Sequence, residues 1–167
     1  FANMAMGRVH QMTSLPDDGL FWFERSIEVS PNFVKGHYAL SHVDMQAGRT
    51  HRANAGLDTS MHLSPMDPLL SLMLTFKALS FFVDGKLDLA QEWSRKAVRS
   101  NQVHYLVLTT AAVVNHVAGD TAEASRWVRH LRSLRPDATS TPYFTSMKFA
   151  DPGIEALVRR SLGDLGI

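Results

Sequence analysis

Eight histidines and not one cysteine stand among the 167 residues of this chain, so imidazole carries most of its chemical latitude. Neutral imidazole ligates metals, and a helix-borne metal pair needs two such rings one turn apart. No two histidines here are separated by four residues. His37 and His42 come nearest at five apart, which turns them about 140° away from each other around a helix. They are therefore read as ordinary, partly exposed side chains, and neither a metal nor any other cofactor is expected. The lack of cysteine removes disulfide frameworks, thiolate zinc sites, iron–sulfur clusters and cysteine nucleophiles together. The signatures G-x-x-x-x-G-K-S/T, G-x-G-x-x-G, G-x-S-x-G and H-E-x-x-H do not occur, which leaves phosphate loops, dinucleotide turns, nucleophile elbows and zinc-protease helices without a sequence basis. No convergent acid–base pair offers itself. No catalytic residue is assigned, and the chain is not read as an enzyme.

Arg126, Arg129, Arg132 and Arg135 recur every three residues and invite a reading as a basic ridge toward phosphate or an acidic peptide. Steps of three drift about −60° each on an α-helix, so Arg126 and Arg135 end on opposite sides. Arg132 and Arg135 instead suit the last turn of a helix, where cations offset the negative end of its dipole. Trp22, Trp93 and Trp127 are read as packing between helices rather than as stacking platforms for a ligand. Lys and Arg number 17 against 16 Asp and Glu, a net charge of +1, so nothing pulls the whole molecule toward nucleic acid or an anionic membrane. Neither is expected as a partner. A cysteine-free chain suits a reducing compartment, and a cytoplasmic location is the expectation. Phe1 opens the chain without a charged segment leading into an apolar one, so the sequence reads as a piece of a longer protein.

These side chains must be held in place, and the periodicity of the chain says by what. With 45% of the residues apolar, one sizeable core forms without disulfides or metals. Gly48, Ala53, Leu57, Ser60 and Pro65 are spaced 5, 4, 3 and 5 apart, and Gly119, Ala124, Val128, Leu131 and Pro136 repeat those spacings. Gly85, Ala90, Ser94 and Ala97 form a third copy with Gln102 at the proline position. Gly19, Phe23, Ser26 and Pro31 form a fourth, with Ser14 in the first glycine's place. The period is 34 residues with one three-residue insertion around Pro65-Met66-Asp67-Pro68, where two prolines lengthen a connecting loop. Each unit reads as two helices. Glycine suits the left-handed residue just past the first, the small residue five positions on lets the two approach closely, and proline ends the second. The predicted helices cover 1–13, 16–29, 32–47, 50–63, 67–84, 87–100, 102–117 and 121–134, and no strand is predicted. Turn composition follows in 137–142, then the apolar Tyr143, Phe144, Met147 and Phe149. Asp151-Pro152 then opens a last helix, whose Ile154, Leu157, Val158, Leu162 and Leu165 share one face and cap the stack.

A 34-residue two-helix unit with glycine, alanine and proline at these places resembles the tetratricopeptide repeat, over residues 1–136. Gly7, Ser41, Ala78 and Ala112 take the small-residue position of that family's first helix. The departures are Gln102 for proline, Ser94 for a bulky residue and Gly19 for alanine. The resemblance implies an all-α, right-handed α-solenoid of four tetratricopeptide-like (TPR-like) helix pairs, at about 1–33, 34–67, 71–104 and 105–136. A connecting segment at 137–150 and a capping helix at 151–167 complete it. The stretch Leu63-Ser64-Pro65-Met66-Asp67-Pro68-Leu69-Leu70, together with the tail Asp151-Pro152…Leu162-Gly163-Asp164-Leu165-Gly166-Ile167, is similar to the C-terminal repeat region of bacterial class III adenylate cyclases and of related winged-helix transcriptional regulators.

In such solenoids the first helices line a concave surface used for binding. The resemblance places Met4, Arg8 and Gln11 on it from the first unit and Lys35, Tyr38, His42 and Met45 from the second. The third unit supplies Leu72, Thr75, Leu79 and Phe82, and the fourth Leu106, Thr109, Val113 and His116. The later half is an almost apolar trough that lacks the clustered Lys, Asn and Arg with which some family members grip a peptide carboxylate. An apolar patch of this size is covered in a soluble protein. Two occupants are open: the chain's own residues 143–149, or a partner helix or second copy seated against Tyr38, His42 and Met45. The function implied is protein–protein interaction or self-association, as the regulatory part of a larger bacterial signalling or transcription protein. The alternatives are a sensor for a small apolar ligand in the groove and a fragment whose adenylate cyclase domain lies upstream.

Overall fold

The period is written into the backbone at its glycines. The computed structural model describes residues 1–13, 19–100 and 104–167, and every regular element in them is a helix. The paired helices are α1 (Ala2–Thr13) and α2 (Leu20–Val29), α3 (Val34–Gln46) and α4 (Thr50–Leu63), α5 (Leu70–Val83) and α6 (Leu87–Val98), and α7 (Tyr105–Val117) and α8 (Thr121–Leu134). The short α9 (Thr141–Ser146) and α10 (Pro152–Asp164) follow. Gly48, Gly85 and Gly119 have φ of +76°, +71° and +82°, the left-handed region that glycine enters without strain. The next amide closes back on the helix each time, Arg49 on the Asp44 carbonyl at 2.8 Å and Lys86 on Phe81 and Asp120 on Asn115 at 2.9 Å. Carbonyls that a helix end leaves open are satisfied in this way.

The second helices end by a different local rule. Ser30, Ser64 and Arg135, each just before a proline, adopt nearly the same extended backbone (φ −144°, −144° and −141°), as the proline ring demands of its predecessor. In the third unit α6 stops at Val98 and Arg99 keeps helical angles (φ −86°, ψ −5°). Gln102, Ser14 and the predicted helix starts at 16 and 102 lie outside the described residues. Helix α5 begins at Leu70 rather than at 67, because the inserted loop turns on Asp67, whose carboxylate accepts the Leu69 amide at 2.8 Å. Ala53, Ala90 and Ala124 are fully buried where paired helices approach. The first unit differs in a compensated way. Gly7 and Gly19 leave room for the buried Phe23, and a Cβ on Gly7 would sit 2.6 Å from its ring.

Pairs stack so that α1, α3, α5 and α7 also pack on one another, whereas α2, α4 and α6 meet chiefly the first helices on either side and α8 meets α7. The first helices thus form the inner face. Across it runs the C-terminal strap of α9, the extended 147–151 and α10. Tyr143, Met147 and Phe149 join one buried cluster with Tyr38, Phe76, Leu79, Phe82, Leu106 and Val113. Part of the connecting segment is therefore built into the core. Asp151 caps α10 by accepting the Gly153 amide at 2.7 Å, and Val158 and Leu162 are buried. Helix α10 packs on α7, while Leu165 and Ile167 reach the Leu108–Trp127–Leu131 cluster that closes the fourth unit.

Candidate functional site

The predicted groove residues do not share one fate. Met45, Leu79, Phe82, Leu106 and Val113 are buried, and Leu72 is half-buried against the same core. Thr75 and Thr109 turn their hydroxyls back to the Ser71 and Tyr105 carbonyls of their own helices. His116 is half-buried and faces Asp164 of α10 at 3.3 Å. Met4 packs beside Phe23, and Lys35 is exposed. Of the two occupants left open for the apolar trough, the chain's own residues 143–149 lie in it in this structure. Tyr38, His42 and Met45, expected as an adaptable edge, are buried as well. The physical reason is area, since one strap covers apolar surface from several first helices at once.

The strap is also pinned by polar contacts. Tyr105 Oη donates to the Pro142 carbonyl at 3.0 Å, and the hydroxyls of Tyr143 and Thr110 meet at 3.2 Å. Gln46 Nε2 donates to the Ser146 carbonyl at 3.2 Å, and the Ala150 amide donates to the Gln46 carbonyl at 2.8 Å. That carbonyl lies in the last turn of α3, where the helix itself leaves acceptors unfilled. Lys148 Nζ donates to the Gln11 carbonyl at 3.3 Å.

Where the strap crosses α1 and α3, a cavity of roughly 240 Å³ remains, lined by Arg8, Gln11, Tyr38, His42, Gln46, Phe76, Leu106 and residues 145–148. Arg8, Gln11, Tyr38, His42 and Leu106 come from the predicted set; Gln46, Phe76 and Lys148 were not foreseen. Lys148 had one signal, as the lone charge in the apolar 143–149 run. Arg8 Nη1 donates to Gln11 Oε1 at 2.6 Å and lies 3.3 Å from His42 Nδ1. Gln11 Nε2 donates to Gln46 Oε1 at 3.1 Å. The His42 ring stacks on Phe76 with centroids 4.1 Å apart, and the Phe76 ring stacks in turn on Tyr38 at 5.3 Å. Burial, reinforced by the Arg8 charge, pushes the His42 pKa down to about 3, so the ring is neutral. Burial likewise raises the Tyr38 phenol to about 12. His42 is thus no ordinary surface histidine. Among the described residues no three His, Asp or Glu side chains converge as metal ligands would.

The arginine series separates as the helix drift requires. Arg132 donates to the Gly166 carbonyl at 2.6 Å, Arg135 lies over the Tyr105 ring at 4.7 Å, and Arg126 covers Trp127 at 4.9 Å. Arg126 shares an open hollow with Arg95 of α6 and Arg99 at its C-terminal end, a grouping between helices that no single-helix spacing shows. The tryptophans pack between helices: Trp22 stacks on His10 of α1 at 6.4 Å, and Lys77 of α5 lies over Trp93 at 4.4 Å.

No protein-family model and no curated protein sequence matches the chain. Among solved structures it is similar to the crystal structure of MamA, with a TM-score of 0.65 and 14% identity, over 96% of this chain and 92% of that chain. The likeness, with the glycine-ended helix pairs, establishes the class of the fold: an all-α, tetratricopeptide-like solenoid. Among the described residues no helix is long and apolar enough to cross a membrane.

Proposed function

We propose that the chain is a protein–protein interaction module whose inner face seats a short amphipathic segment, with residues 141–149 holding that seat until a partner or a second copy replaces them. The observation that carries this reading is the strap itself. The short helix α9 bearing Tyr143, with Met147 just past its end, lies across the first helices of a TPR-like solenoid, where an extended concave surface receives peptides. The resemblance noted in the sequence suggests a regulatory role inside a larger bacterial signalling or transcription protein. The comparisons add no support for the cyclase or winged-helix parent. A purely apolar ligand in the trough loses its seat to the strap.

The test is a full-length chain carrying Tyr143→Ala and Met147→Ala, offered a labelled synthetic peptide of residues 139–151. Retained helicity, new binding of an apolar dye and saturable capture of the peptide are the expected outcome, with light scattering reporting any concentration-dependent mass. Retained helicity without capture of the peptide or self-association overturns the reading. So does collapse of the helical signal, because it makes the strap an inseparable part of the core.

A further inference from the structure

We infer that the hollow between α6 and α8 receives a phosphorylated serine or threonine on a segment of a partner protein. Arg95 and Arg99 stand one turn apart at the end of α6, and Arg126 and His130 stand one turn apart on α8. Trp127, only 8% exposed, supplies the buried part of the wall. Charge in this wall is unbalanced. Glu123 is the one carboxylate among the described lining residues, and it faces Arg126 at 3.5 Å. Among the described residues Arg95 and Arg99 form no ion pair and no side-chain hydrogen bond, and Glu92 on the same helix is taken by Lys96 at 2.7 Å. Three guanidiniums against one carboxylate leave a local surplus of positive charge larger than the +1 of the whole chain.

The preceding repeat offers an internal comparison. The period sets Arg95 on Asp58, Arg126 on Glu92, Trp127 on Trp93, His130 on Lys96, and Ala111 of α7 on Lys77 of α5. Around Trp93 these charges close on one another: Lys77 pairs with Asp58 and Lys96 with Glu92, and the two ammonium groups lie over the indole at 4.4 and 4.0 Å. Around Trp127 both acids have become arginines and the buried lysine an alanine. The frame is the same, but its negative charge is missing. Trp127 also carries a buried Nε1–H with no hydrogen-bond partner, a second unmet demand for an acceptor. A phosphate monoester brings a charge of about −1.5 to −2 at pH 7 and three acceptor oxygens, against the single charge of a carboxylate, and the planar forks of arginines suit it. The hollow of roughly 420 Å³ equals about fourteen waters at about 30 Å³ each, which leaves room beside the phosphate for the residues that flank it in a peptide. The free cations form one cluster rather than the track that a nucleic-acid backbone needs, since Arg132 and Arg135 are spent on the Gly166 carbonyl and the Tyr105 ring. The site lies on second helices, so it stands whether or not the strap yields the inner face.

The experiment titrates the full chain with a short Gly/Ala peptide bearing one central phosphoserine, with its serine and glutamate counterparts, with inorganic phosphate and with single-stranded oligothymidylate. Calorimetry follows binding, and NMR follows the Trp127 indole N–H. The expected result is saturable binding of the phosphopeptide, roughly tenfold or more tighter than either counterpart, with a shifted Trp127 indole resonance. The double variant Arg95→Ala, Arg99→Ala is expected to weaken it by roughly tenfold or more with an unchanged unfolding temperature, because both side chains are exposed. Arg25→Ala, an exposed cation on α2 paired with Glu28, is expected to leave the affinity unchanged. Equal binding of the phosphorylated and unphosphorylated peptides, no saturation at millimolar phosphopeptide, an unmoved Trp127 resonance, or equal losses in the two variants overturns the proposal. Inorganic phosphate bound as tightly as the phosphopeptide overturns it in favour of a free anion, and tighter binding of the oligonucleotide overturns it in favour of nucleic acid.

Discussion

His42 shows how much of a residue's chemistry is set by its surroundings. The ring stacks on Phe76, receives donors from Arg8 and Gln11 on Nδ1, and stays neutral with its pKa near 3. In the unfolded chain the same ring takes up a proton near 6.5. Between these values the unfolded state holds the extra proton, so the histidine's contribution to stability is complete above about pH 6.5. It is lost as the pH falls toward 3, by about 1.4 kcal/mol per pH unit. The charged or titratable groups that line the cavity with it are Arg8 from α1, Tyr38 from its own helix and Lys148 from the strap. Unfolding midpoints from pH 4.5 to 7.5 are expected to fall steeply with acid in the parent chain and more gently in His42→Gln. Equal slopes count against the buried neutral ring. Leu79 provides a plainer case. Fully buried in the central cluster, its replacement by Ser is expected to cost about 3–5 kcal/mol in chemical denaturation, from the lost methyl groups and a buried hydroxyl.

At the scale of the helix the unit is punctuated by two residue types. Gly119 has φ of +82° with no heavy atom within 4 Å of where a Cβ would lie, so Gly119→Ala isolates backbone strain and is expected to cost about 1–2 kcal/mol. Gly7→Ala tests space instead. Its Cβ would meet the Phe23 ring at 2.6 Å, so α1 and α2 must separate or the ring must move. The double variant Gly7→Ala, Phe23→Leu is expected to recover part of the loss in thermal unfolding, which strain at an isolated backbone position would not. Gly119 was legible as spacing, because turn chemistry acts over a few residues, whereas Gly7 was marked only through the family's small-residue position, since the Phe23 ring that needs the space lies on the next helix. Gly19 was legible only as a departure from alanine. Its reason is that a Cβ there would lie 2.5 Å from the Gly7 carbonyl oxygen, a contact invisible until α1 and α2 are side by side.

At the scale of the molecule, the strap decides which surfaces the solenoid offers. Tyr143→Phe removes the buried hydroxyl that meets Thr110 at 3.2 Å. It is expected to cost about 1 kcal/mol and to raise hydrogen exchange in 141–150 before it affects α5 or α7. Uniform loosening of all helices would show that the strap does not open on its own. The sequence alone determined the helical period, the glycine-ended first helices and the proline-ended second helices. Those depend on backbone angles and on the side-chain period, which neighbouring residues dictate. Only the tertiary structure decided that residues 143–149 cover the apolar strip and that Arg8, His42 and Lys148 meet around one cavity. The joining contacts bridge long separations, 100 positions from Gln46 to Ser146 and 137 from Gln11 to Lys148. No local preference encodes such closures, because they arise from burying apolar area whose two halves are far apart in the chain.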